Sequence, residues 1–251
     1  MDLSARVAYP HGQLASTKAL VTGMSDHPPP SPFNPLPPVV AALALVIFGI
    51  EVIFTAGAQG LIGGPDAIGW RQMAVEEFGF FTVLFQMALG DGPAPSGLIV
   101  RFFSYPFVHL SFTQMLFVVV FLLALGNIVG RVFSPLALIG LFFGSAAGGA
   151  LLYAVALDDP FPLVGGFPAV YGLIGAYSFI LWLSFGAVGE NQYRAFTLIG
   201  MLMGIQLLFA VLFGTGNDWV ADIGGFATGF ALSFVLSPGG WGRLLQRIRR
   251  R

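Results

Sequence analysis

The chain contains no cysteine, which excludes disulfides, thiolate nucleophiles and cysteine-held metals together. It has three histidines, His11, His27 and His109. Only His109 adjoins an apolar segment, so a multi-histidine metal centre inside the hydrophobic part is excluded too. Charge is scarce: 9% of the 251 residues are Asp, Glu, Lys or Arg, against 56% hydrophobic. Soluble domains carry about 25% charged residues, so this composition suits lipid rather than water. No apolar stretch of leader length lies between Met1 and Ser25. A cleavable signal is therefore not expected, and the first hydrophobic segment is expected to stay as an anchor. No cofactor, no metal and no nucleic-acid partner are expected.

What the chain does have is a series of apolar stretches near the ~20 residues needed to cross a bilayer. They fall at 39–58, 107–128, 135–156, 166–187, 194–214 and 218–237. The expectation is an all-α polytopic membrane protein, with a six-helix membrane domain over 39–237. A proline-rich tail over 1–38 favours extended, unpacked chain and is expected to be disordered. A basic tail follows over 238–251. Between the first two spans, the apolar run Phe78–Leu89 is too short to cross and predicts an interfacial or re-entrant element.

Six spans put both ends on one side. That side holds Arg6, Lys18, Arg131, Arg194 and the tail arginines Arg243, Arg247, Arg249, Arg250 and Arg251; Arg71 and Arg101 lie opposite. Excess positive charge marks the cytoplasmic side, so both termini are expected in the cytoplasm. With short loops and an arginine-rich end, a bacterial inner membrane is the expected location. Within the spans, Gly144 and Gly148, and Gly225 and Gly229, stand four residues apart. Such pairs line one helix face and admit close backbone approach, so Gly148, Gly225 and Gly229 are read as packing positions.

Ionisable groups inside a bilayer are functional candidates by default. Asp222 and Glu51 are the acids in the interior of the expected spans, with Asp218 at the edge of the last and His109 near the mouth of the second. Asp222 is expected to line a cavity, hydrogen-bonded to Tyr171, or to pair with a basic or polar group of a partner's helix. Glu51 is expected to face the bundle interior.

Three segments, in order, carry a family likeness. They are His109-Leu110-Ser111-Phe112-Thr113-Gln114 with Val118, Gly165-Gly166-Phe167-Pro168-Ala169-Val170-Tyr171-Gly172, and Asp222-Ile223-Gly224-Gly225 with Gly229. Together they resemble the rhomboid superfamily of intramembrane serine proteases (peptidase S54-like). The resemblance implies a six-helix fold with a serine nucleophile, a histidine base and oxyanion donors in the second span. Aligned on Tyr171-Gly172, the serine position is Phe167; aligned on Gly225 and Gly229, the histidine position is Asp222. His109 matches the first family histidine, Gln114 stands for the second, Val118 replaces an asparagine, and Pro168 follows the nucleophile position. A phenyl ring has no attacking atom, and serine hydrolysis needs a hydroxyl beside a base. The sequence thus predicts an inactive rhomboid-like protein, without catalytic residues, that binds transmembrane helices of other membrane proteins. Asp222, Phe167, His109 and Tyr171 are the candidate partner-binding residues. An active rhomboid protease and a structural accessory subunit of a larger membrane complex are the alternatives.

Overall fold

The computed structural model describes residues 36–90, 92–93, 95–213 and 216–239. The expected tails fall outside these residues, apart from 36–38 and 238–239. Nine α-helices occur among the described residues: α1 (Pro38–Ala58), α2 (Trp70–Phe78), α3 (Thr82–Leu89), α4 (Leu98–Ser104), α5 (Phe112–Val129), α6 (Pro135–Ala156), α7 (Phe167–Ala187), α8 (Thr197–Phe213) and α9 (Trp219–Leu236). The extended chain contributes only one isolated antiparallel bridge, Phe80 with Leu163.

Local chemistry sets the helix starts. Proline occupies the first turn of α1, α6 and α7 (Pro38, Pro135 and Pro168), where its missing N–H has no intrahelical partner to lose. The Ser111 hydroxyl caps α5 by accepting from the Gln114 amide at 3.2 Å, and Ser134 caps α6 through the Ala137 amide at 3.3 Å. Each cap satisfies an N–H that the helix itself leaves free.

Five helices, α1, α5, α6, α7 and α9, are long and apolar enough to cross a membrane. α8 matches the remaining expected segment but has 17 residues, roughly 25 Å at 1.5 Å per residue against a ~30 Å hydrocarbon core. Five helices therefore reach crossing length where six were expected. The Phe78–Leu89 run is not one element either. Phe78 closes α2, Gly79 leaves the helix at ψ 150°, and α3 begins at Thr82. Phe80 instead exchanges two backbone hydrogen bonds with Leu163. The second span begins later than expected, at Phe112, because Pro106 sits in a short 3-10 turn and the chain is extended through Val108 and Ser111.

α7 is the central element, packed between α6, α9 and α5. The approach of α9 to α7 depends on absent side chains. A Cβ on Gly229 would run into the backbone of Gly172, and one on Gly225 into the carbonyl of Pro168. On the α6 side, a Cβ on Gly148 would meet the side chain of Thr228. The outward faces are apolar: Leu45 is 70% exposed and Leu136 80%. Such a belt would be a liability in water and is the expected surface in lipid.

Candidate functional site

At one end of the bundle, the starts of α5, α7 and α9 meet α8 around a cavity of about 340 Å³. Its walls include Gln114, Phe167, Pro168, Gln206, Asp218 and Asp222. Gln114, Phe167 and Asp222, which the sequence distributes over three spans, are thus brought together. Val118, one turn below Gln114, is fully buried, and a Cβ added to Gly166 would lie 2.7 Å from its methyl group. Tyr171 is buried one turn into α7 and is not among the lining residues. His109 is not among them either.

The loop that delivers Phe167 is held by backbone groups. Leu163 is bridged to Phe80, and the Gly165 amide donates to the Tyr105 carbonyl at 3.0 Å. The Gly166 amide donates to His109 Nε2 at 3.3 Å. Gly165 has φ +99°, and a Cβ there would sit 2.8 Å from Gln114 Nε2, so conformation and space both demand glycine. Tyr105 anchors the outer end by donating its hydroxyl to the Ala146 carbonyl at 2.8 Å. His109, expected near the mouth of the second span, is only 1% exposed. Its ring supports the loop from inside. Burial holds its pKa down to about 4, against the opposing pull of the Glu51 charge.

Glu51 is 1% exposed and is met by a cation the sequence does not pair with it. Arg71 grips it with two nitrogens, at 2.6 and 2.8 Å, and also donates to the His109 carbonyl at 2.6 Å. Thr55 adds a hydroxyl bond to the same carboxylate at 3.2 Å. One guanidinium therefore ties α1 and α2 to the residue that supports the Phe167 loop. The planar fork of arginine suits this bidentate grip. The available signal was scarcity, since Arg71 is one of two basic residues in the long segment after a span holding a single acid.

Asp222 is 2% exposed. Its hydrogen bond comes from Gln206 Nε2, 2.7 Å from Oδ2, where the sequence reading expected Tyr171. Asp222 Oδ1 and Gln206 Oε1 are both buried without a hydrogen-bond partner. Gln206 went unnoticed in the sequence, although within the 197–213 run it is the one side-chain amide among apolar residues.

Comparison with known proteins now bears on this arrangement. The family model described as Rhomboid domain matches residues 96–239, more than half of the chain. The chain belongs to the rhomboid family. Two curated relatives agree. The "Rhomboid-like protease 1" of Toxoplasma gondii is 28% identical over 139 residues, covering 55% of this chain and 47% of that protein. The "RHOMBOID-like protein 4" of Arabidopsis thaliana is 32% identical over 136 residues, covering 54% of this chain and 34% of that protein. This chain therefore matches less than half the length of either relative.

Within this rhomboid-family bundle, several serine hydroxyls are engaged in structural bonds. Ser111 caps α5, Ser104 donates to the Phe78 carbonyl at 2.9 Å, and Ser233 donates to Gly229 within α9 at 2.7 Å. Ser145 and Ser178 are buried without a partner. Among the described residues, no hydrogen bond joins a serine hydroxyl to His109, whose Nε2 accepts from Gly166. Gln114 is also engaged: its Oε1 accepts from the Leu110 amide at 2.8 Å, so its carbonyl end closes the start of α5. Among the described residues, no three His, Asp or Glu side chains converge as a metal site.

Proposed function

We propose that this rhomboid-family membrane protein is catalytically inactive and binds the transmembrane helices of other membrane proteins. The observation that carries this reading is Phe167 on the cavity wall at the position the family resemblance gives to the nucleophile, with Asp222 across from it at the position of the base. Among the described residues, neither serine nor histidine lines that cavity. A carboxylate can accept a proton, yet among the described residues the side chain bonded to Asp222 is the Gln206 amide, which is no nucleophile. Pro168 offers no backbone N–H for a developing oxyanion, and Val118 has no polar group. One lost oxyanion donor costs about 2.7–4 kcal/mol of transition-state stabilisation. In this reading α8 is the sixth crossing, tilted little or met by a locally thinned bilayer. Both termini lie in the cytoplasm, and the membrane is a bacterial inner membrane.

Labelling with a fluorophosphonate serine probe and incubation with a model transmembrane substrate test the inactivity. Neither adduct nor cleavage is expected from protein free of other proteases, and either would overturn it. Crosslinking in native membranes tests the positive role. Several substoichiometric partners support helix binding, whereas a single stoichiometric partner would make the chain a subunit of a larger assembly. The competing reading is a serine protease, favoured by the name of the Toxoplasma relative. It requires a nucleophile away from residue 167, and Ser145 and Ser178, buried without a hydrogen-bond partner among the described residues, are the first to mutate if probe labelling is found.

A further inference from the structure

We infer that the cavity between α8 and α9 receives a lysine or arginine side chain from a partner's transmembrane helix. This rests on the reading above that the protein binds such helices, and it specifies what they carry. The starting point is the unmet demand of two buried oxygens. Gln206 donates to one oxygen of Asp222 at 2.7 Å, leaving Asp222 Oδ1 and Gln206 Oε1 both buried with no donor. Both residues line the cavity of about 340 Å³, a volume within the roughly 300–1,000 Å³ of ligand sites. Unpaired buried acceptors are rare in folded proteins and point to a missing donor.

The donor that fits is a cation with more than one N–H. Asp218 lines the same cavity, and among the described residues no lysine or arginine does. Asp159, outside the lining, accepts at 3.1 Å from Asn217, the residue before Asp218. The two arginines described at this end are engaged elsewhere, Arg71 on Glu51 and His109 and Arg101 on the Glu76 and Gly79 carbonyls, each at 2.8 Å. A lysine ammonium offers three donors and a guanidinium five, enough to serve both oxygens. Gln114 also lines the cavity, and the apolar walls Phe167, Pro168 and Ile205 are suited to the methylene stem of such a side chain. A leucine in the same place would leave both oxygens unpaired.

The test uses the full chain in lipid nanodiscs and synthetic polyleucine helices carrying lysine or leucine at the depth of Asp222, with binding read by fluorescence transfer. The lysine helix is expected to bind about three- to thirtyfold more tightly, the span seen for polar pairs between membrane helices. Asp222→Asn, which preserves shape, and Gln206→Leu should each reduce that preference to below about twofold. Equal binding of the two helices to the unaltered protein would overturn the inference and leave helix binding standing. Binding of neither would overturn it together with the broader reading. A lysine preference that survives Asp222→Asn would also refute it. So would displacement of the lysine helix by an equal concentration of n-butylamine, which would assign the site to free amines.

Discussion

Replacing Arg71 with alanine would strand a carboxylate at 1% exposure, and the consequence can be worked through. Glu51 receives two bonds from the guanidinium, and the His109 carbonyl receives a third. Removing one partner of a buried ion pair costs about 3–5 kcal/mol, because the survivor stays charged and dry. The freed His109 carbonyl adds about 1–3 kcal/mol if no water reaches it. Arg71→Ala should therefore destabilise the bundle by at least about 3 kcal/mol in reversible SDS unfolding from mixed micelles. The double variant Arg71→Met/Glu51→Leu removes both charges and should lose only about 1–3 kcal/mol, the carbonyl's share. The two substitutions should thus couple rather than add. An Arg71→Ala loss below about 1 kcal/mol would mean that the pair is solvated. The claim that Arg71 braces the loop carrying Phe167 would then fail.

Two further outcomes follow from the geometry. Gly229→Ala places a methyl against the Gly172 backbone, forcing α7 and α9 apart; a loss of about 1–3 kcal/mol or more is expected in the same unfolding assay, and a neutral result would show that the helices are not in contact there. His109 has a folded pKa of about 4 against 6.5 for the free side chain, so below pH 6.5 the unfolded chain takes up a proton that the folded one refuses. Stability should accordingly decline as pH falls from 6.5 to 4, by about 3 kcal/mol at most for that interval. His109→Gln should remove this slope, while Asp159, whose carboxyl is held below its usual range by the Phe161 amide, loses its contribution only at pH below that window. An unchanged slope would mean that His109 is hydrated in the folded protein.

The features legible in the sequence are those that depend on composition along one stretch of chain. α6 begins and ends where the apolar run 135–156 does, because Ser134-Pro135 marks its start and polar Asp158-Asp159 follows its end. Gln114, Phe167 and Asp222 could be grouped because a family resemblance supplied the register between spans. The features not legible are pairings across the fold. Nothing along the chain links Arg71 to Glu51, twenty residues earlier, or Gln206 to Asp222; both depend on how helices rotate about their own axes. The Phe78–Leu89 run misled for a related reason. Hydropathy records that these residues avoid water, and it cannot register that Phe80 satisfies its backbone on Leu163 instead of continuing a helix.

The supports of the cavity are indifferent to what the cavity contains. Gly165 and Gly166 are fixed through main-chain amides, to the Tyr105 carbonyl and the His109 ring. The α7–α9 contact is fixed by glycines against backbone. None of these interactions involves the side chain at 167 or 222. A bundle of this kind can therefore exchange a reactive side chain for an inert one without losing the loop that presents it. The polar pair at Asp222 and Gln206 is different, because apolar residues there would cost the fold nothing visible in these contacts. Retaining two unpaired oxygens at 2% exposure of Asp222 imposes a standing desolvation penalty. The scaffold does not require it, so the cavity's occupant is the place to look for what offsets it.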